Sequence, residues 1–174
     1  MAKAITVFGS GTVKENSKNW EEAYQIGFLL AKAGFVIING GYGGSMAASA
    51  MGAKKAGGNT VGITTDQFQG SVKNGFIDQE IRKRTYIERL HELVHSGDGF
   101  VILNGGTGTL VELMVVWEMN NKGLHAKPFA VLGRKIQAAV NAIKRNSEVE
   151  MSNQLYFAKD PKTAVQYLKR CLIS

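Results

Sequence analysis

The sequence predicts an α/β fold: a doubly wound, mainly parallel sheet with helices on both faces. Two observations carry that expectation. Short apolar runs of strand length alternate with segments whose apolar residues recur at helical spacing, from the N-terminal end to the last twenty residues. Glycine-rich turns follow three of the apolar runs, at Gly9-Ser10-Gly11-Thr12, Gly40-Gly41-Tyr42-Gly43-Gly44 and Gly105-Gly106-Thr107-Gly108-Thr109. In a parallel sheet wound in both directions, such turns fall on the carboxyl edge, where ligands bind.

The elements follow in order. Residues 4–8 form an apolar first strand, and residues 19–33 a helix with Ala23, Tyr24, Gly27, Leu30 and Ala31 on one face, ended by Gly34. Residues 35–38 are a second strand, 45–56 a helix of small residues ended by Gly57-Gly58, and 60–63 a third strand. Residues 64–75 are polar and without periodicity, which predicts a loop over the site. A short strand at 76–81, a helix at 85–96, a strand at 99–103 and a helix at 109–121 come next. A strand at 128–132, a helix at 135–145, an edge strand at 155–157 and a helix at 160–172 complete the chain, with Asp160 as N-cap and Pro161 in the first helical position. The 174 residues are expected to make a single α/β domain of modified Rossmann type.

Composition narrows the function. The chain is 44% hydrophobic and 20% charged, an ordinary globular balance. One cysteine, Cys171, excludes an internal disulfide framework and favours a reducing, cytoplasmic setting, with Cys171 itself structural. No signal-peptide shape and no run of membrane-spanning length is present, so no membrane partner is expected. The net charge of +7 is scattered, apart from Arg82-Lys83-Arg84 and Arg89. It suits small anionic ligands; without an aromatic–basic ladder, nucleic acid is not the expected partner.

The turn at residues 105–109 matters most. It puts bare backbone amides at a helix N-terminus, where an anion sits, with Glu112 one turn inside the helix. The phosphate-binding candidates are Gly9, Ser10, Gly40, Gly41, Gly43, Gly105, Gly106, Thr107, Gly108 and Thr109. Neither a third dinucleotide-fingerprint glycine nor an acid after the second strand is present, so NAD is not expected; there is no Walker A loop either. Two readings stand for Glu112: a catalytic carboxylate, or the third position of a capping box begun by Thr109. Arg89 falls about 100° from the apolar face of its helix, which makes it a solvated rim charge or a ligand contact. His91-Glu92-Leu93-Val94-His95 has the H-E-x-x-H spacing of a zinc site. Both histidines, however, trend toward solvent, no third ligand follows, and no metal or other cofactor is expected.

These residues resemble the LONELY GUY (LOG) family, long labelled "possible lysine decarboxylase", whose signature is P-G-G-x-G-T-x-x-E. The match runs from Asn104 to Glu112, with asparagine in place of proline. The family's M-x-x-R-K segment is similar to Tyr86-Ile87-Glu88-Arg89-Leu90, with leucine for the lysine, and its G-G-G-x-x-G-L-M turn resembles a shorter Gly40–Met46 segment. Likeness extends over about residues 5–132 and points to a divergent branch, in a superfamily that includes molybdenum-cofactor carriers and the Rossmann part of DprA. The resemblance implies a phosphoribohydrolase that releases the base from AMP or cytokinin riboside 5′-monophosphates, with Arg89 and Glu112 as its catalytic pair. It also implies a homodimer with the helix at 109–121 near the interface; Trp117 and Met119 are contacts there or core. The alternatives are a non-catalytic nucleotide or molybdenum-cofactor carrier, favoured by Asn104 and Leu90, and a zinc hydrolase using His91 and His95. No lysine sits in a setting suited to decarboxylation through pyridoxal phosphate.

Overall fold

A computed structural model describes residues 2–173. Among these, seven strands form one wholly parallel sheet in the order β4-β3-β2-β1-β5-β6-β7. The strands are β1 (Ala4–Phe8), β2 (Val36–Asn39), β3 (Thr60–Thr65), β4 (Gln79–Lys83), β5 (Gly99–Ile102), β6 (Phe129–Leu132) and β7 (Leu155–Ala158). Five helices connect strands and a sixth follows β7: α1 (Lys18–Lys32), α2 (Ser45–Lys55), α3 (Tyr86–Ser96), α4 (Thr107–Asn121), α5 (Arg134–Ile143) and α6 (Pro161–Leu172), with a loop joining β3 to β4. The chain winds outward from β1 to β4, returns to β5 beside β1, and winds the other way to β7. The reversal between β1 and β5 is the topological switch point, and the crevice there lies at the carboxyl ends of both strands.

Two apolar layers flank the sheet. On one face Ala23, Ile26 and Leu30 of α1, Ala48 and Ala53 of α2, and Leu168 of α6 pack on Ile5, Ile37 and Val101. The small side chains of α2 let it lie close against α1. On the other face Leu93 and Val94 of α3, Leu113, Val116 and Trp117 of α4, and Ile136 and Val140 of α5 cover Phe8, Phe100, Ile102 and Phe129. Central strands buried on both faces need continuous apolar runs, which is what β5 and β6 supply. Trp117 is core, donating its indole N–H to the Glu150 carbonyl. No helix among the described residues is long and apolar enough to cross a membrane.

Several elements depart from the pattern of the sequence. Strand β3 runs to Thr65, two residues into the expected loop, because β4 pairs with it in register from Val61↔Gln79 to Thr65↔Lys83. Strand β4 therefore begins at Gln79, three residues after the expected start. Helix α4 begins at Thr107 with Gly106 as N-cap and no side-chain cap. The capping box expected at Thr109 and Glu112 is therefore absent: the helix starts two residues earlier, and Glu112 sits in its second turn. A capping box does form at Thr85 and Glu88, the entrance to α3. Cys171, expected to be structural, is exposed on α6.

Candidate functional site

Backbone hydrogen bonds stitch the first glycine turn to its neighbours at the carboxyl edge. The Ser10 amide donates to the Asn104 carbonyl at 3.2 Å, and the Ser45 amide at the head of α2 donates to the Ser10 carbonyl at 2.8 Å. The turns after β1, β2 and β5 thus meet around the switch point. Asn104, at the end of β5, has its own task. Its Oδ1 accepts from the amides of Lys135 and Ile136, both at 3.1 Å, while its Nδ2 donates to Asn19. It caps α5, whose own N-cap, Gly133, has no side chain to do so.

Beyond Asn104 the chain opens. Gly105, Gly106, Thr107 and Gly108 are exposed, and a side chain at Gly106 or Gly108 would meet no neighbour. Among the described residues the amides of Gly106, Thr107, Gly108 and Thr109 have no backbone acceptor, whereas Leu110 donates back to Gly106. These are the unpaired donors of a helix N-terminus, and together they form a cradle for an oxyanion. Thr109 is buried, its side chain folded against Gly105. Gly41 differs from its neighbours: its amide donates to Asn39 Oδ1 at 2.8 Å and its carbonyl accepts from Asn74, so its polar groups serve the fold. Gly43 is exposed beside the first turn.

Arg89 is the largest departure from the helical wheel. It is 4% exposed, which removes the solvated-rim reading and leaves that of a contact made inside the site. Its Nε donates to the Ile63 carbonyl at 2.8 Å and its Nη2 to the Gly40 carbonyl at 3.3 Å. A Cβ on Gly40 would lie 1.9 Å from Nη2, so only glycine leaves room for the guanidinium. The rings of Tyr42 and Phe68 stand 5.5 and 5.3 Å from its Cζ, and Phe68 also packs on Tyr86. These three aromatics were not singled out by the sequence. Phe68 carried a signal, a large apolar ring within the polar stretch 64–75; Tyr86 read as part of the apolar helix face.

Glu112 faces this arginine. Burial drives its carboxyl up to about 8, against the pull of the Arg89 charge. Burial in turn lowers the Arg89 guanidinium from its ordinary value, and Glu112 opposes that shift. Burial, then the charge of Glu112, raises the Tyr86 phenol. The acid and the base share one field, yet no direct ion pair joins them among the described residues. A buried carboxyl without a partner is unfavourable for folding, and such groups cluster at reactive sites.

The histidines of the H-E-x-x-H segment are exposed on α3, their rings stacked at 5.6 Å. Glu92 between them pairs with Lys83 and accepts from Ser96. Among the described residues no three acidic, histidine or cysteine side chains are grouped to hold a metal ion. Together with His125, both histidines line a cavity of about 450 Å³ between α3 and α4, walled by Leu90, Val94, Val115 and Met119.

A family model described as the SLOG cluster4 family matches residues 2–165. An uncharacterized protein of Archaeoglobus fulgidus is 36% identical over 128 residues, 74% of this chain and 82% of its own. A rice protein (Oryza sativa subsp. japonica) named as a probable cytokinin riboside 5′-monophosphate phosphoribohydrolase is 32% identical over 133 residues, 75% of this chain; the match spans 58% of the rice protein. The solved molybdenum cofactor binding protein of Rippkaea orientalis superimposes with a TM-score of 0.76 at 28% identity, covering 100% of this chain and 99% of its own.

Proposed function

The chain belongs to the SLOG cluster4 family, and from that premise we propose that it is a nucleoside 5′-monophosphate phosphoribohydrolase, cleaving the N-glycosidic bond to give free base and ribose 5-phosphate. One observation carries the reading: a buried carboxyl and a buried guanidinium share a field beside an uncapped helix N-terminus. The amides from Gly106 to Thr109 hold the 5′-phosphate. The ribose then lies over Glu112, in the space that keeps the acid and Arg89 apart.

The chemistry follows from the protonation state. Near neutral pH Glu112 carries its proton, so it acts as the acid that protonates the departing base. The C1′–N bond breaks, the base leaves with that proton, and positive charge develops on the ribose. The new carboxylate lies where it stabilises that charge, with Arg89 offsetting the carboxylate. Water adds to C1′ and returns a proton to Glu112. The remaining N–H groups of Arg89 orient the ribose hydroxyls or the phosphate.

Asn104 no longer argues against this activity, since its side chain is occupied in capping α5. A second reading, a non-catalytic carrier of a nucleotide or nucleotide-like cofactor, draws on the full-length likeness to the Rippkaea protein. Incubation with AMP and with N6-isopentenyladenosine monophosphate, followed by chromatography of the free base, separates the two. The hydrolase releases base, and Glu112→Gln and Arg89→Ala each lower the rate at least a hundredfold. Tight binding without release in the wild type gives the carrier.

The apolar surface of α3 and α4 supports a homodimer as the working assembly. Ile87, Val111, Met114 and Leu124 are exposed there as neighbours of the α3–α4 cavity. The proposed substrate is a phosphorylated small molecule, and the single cysteine of the sequence favours a reducing, cytoplasmic setting.

A further inference from the structure

A second polar cavity, of about 350 Å³, opens beneath residues 66–73 at the carboxyl ends of β3 and β4. Tyr42 and Phe68, the rings that flank Arg89, form one wall. Asp66, Lys73, Glu80 and Arg82 bring charge to the remainder, which hydroxyl and amide side chains and Val72 complete. Glu80 and Arg82 are two residues apart on β4 and so share one face of the sheet. Arg82 pairs with Asp66, and Glu80 accepts the Thr64 hydroxyl at 2.6 Å. A carboxylate has about four acceptor positions, so Glu80 retains capacity for a further N–H.

The placement suits the base of a mononucleotide. From β5, which leads into the anion cradle, the sheet order passes through β1 and β2 to β3. Three strand spacings make about 14 Å to β3, close to the reach of an extended nucleoside monophosphate, and Glu80, although on β4, turns its carboxylate to the Thr64 hydroxyl of β3. Arg89 links the two regions: its charge is felt by Glu112, and its Cζ lies 5.5 and 5.3 Å from the Tyr42 and Phe68 ring centres. A ligand with phosphate on the cradle and ribose at Glu112 delivers its base to the aromatic wall, where it stacks.

We infer that this cavity is the base subsite and that it selects a base with an unsubstituted exocyclic amine, as in AMP, over a prenylated one. The inference rests on the proposed phosphate cradle and names the substrate class for that site. An amine donates to Glu80, whereas a keto oxygen in its place is repelled by the carboxylate. A five-carbon apolar tail would strip water from Asp66, Lys73, Glu80 and Arg82, and contact with the largely exposed Val72 is a small return once the base covers the aromatic wall. The apolar α3–α4 cavity would accept such a tail, but the aromatic wall of Tyr42 and Phe68 does not line it.

Calorimetry with the Glu112→Gln variant, which keeps nucleotides intact, against AMP, N6-isopentenyl-AMP and IMP tests this, with base release by the wild type measured in parallel. AMP is expected to bind at least tenfold more tightly than either other nucleotide, and Glu80→Leu to erase its margin over the prenylated one. Glu80 and Arg82 are exposed on an edge strand, so the substitution is tolerable to the fold. Equal or tighter binding of the prenylated nucleotide overturns the inference. So does an affinity order untouched by Glu80→Leu, which would leave these charges as guards of the sheet edge alone. AMP binding first with no base released by the wild type removes the hydrolase and leaves the subsite standing. Binding of none of the three overturns both.

Discussion

At Glu112 the fold carries a cost that its chemistry explains. A carboxyl raised to about 8 in the folded protein, against 4.5 in the open chain, takes up a proton on folding between those values. The sign is therefore fixed: its neutral form is accommodated without penalty below 4.5, and stability is lost as pH climbs from there toward 8. Each unit of displacement corresponds to about 1.4 kcal/mol, so the loss is measured in kcal/mol rather than tenths. Glu112→Gln removes it. The variant should melt at nearly the wild-type temperature at pH 4.5 and well above it at pH 8.5, by scanning calorimetry at both values. In the proposed hydrolysis the same proton sets the rate: kcat/KM for AMP should fall as pH rises through about 8, and an increase there would exclude Glu112 as the acid. This residue was legible in the sequence only as a pair of readings, because T-x-x-E is equally a capping box. What separates them is the register of the helix start, which the bare pattern misplaced by two residues. Arg89 was likewise legible only as two readings, a solvated rim charge or a ligand contact. A helical wheel has one buried face, and it takes no account of the loop after β3, whose Phe68 covers the arginine from the far side.

Among the elements, the order of strands and helices was readable from periodicity and glycine turns because a doubly buried parallel sheet demands continuous apolar runs. The boundaries of β3 and β4 were not, since Gln79–Lys83 alternates without apolar continuity and is a strand only by virtue of its pairing with β3. The end of β5 shows how a departure from a family pattern misleads. Asn104 in place of proline suggests a weakened site, yet its amide group bonds two α5 amides and Asn19. Proline has no side chain to make these bonds. Asn104→Ala should therefore destabilise the protein by about 1–2 kcal/mol, as loss of an N-cap does, with the KM for AMP changed less than threefold. Denaturant unfolding with steady-state kinetics on the same preparation checks both halves. A collapse of activity at unchanged stability would return Asn104 to the site.

For the whole molecule, the same chain builds a polar crevice and an apolar flank that share the helices α3 and α4. Helix α4 is apolar around its circumference: Leu113, Val116 and Trp117 turn inward, while Val111 and Met114 remain 41% and 37% exposed. With Ile87 and Leu124, each more than two-thirds exposed, they make an apolar surface of the kind that marks an interface. All three histidines of the chain line the cavity in this flank, along with Lys127, whose ammonium is bonded to the carbonyls of Val94 and His95. Burial and the Lys127 charge hold His125 below its ordinary value. Its neutral form therefore belongs to the folded flank, and the stabilisation is lost as pH falls below 6.5. Lys127 adds to the positive charge and Asp98 partly offsets it; Glu92, held by Lys83, faces His95 from within α3. Sedimentation should find a dimer at pH 8 and monomer for Met114→Glu, and thermal melts of that monomer should lose stability as pH falls from 6.5 to 5.5. Because Met114 does not line the cavity at Tyr42 and Phe68, the monomeric variant should still bind AMP. A dimer untouched by Met114→Glu would place the contact on another face and leave the histidine cavity without a partner.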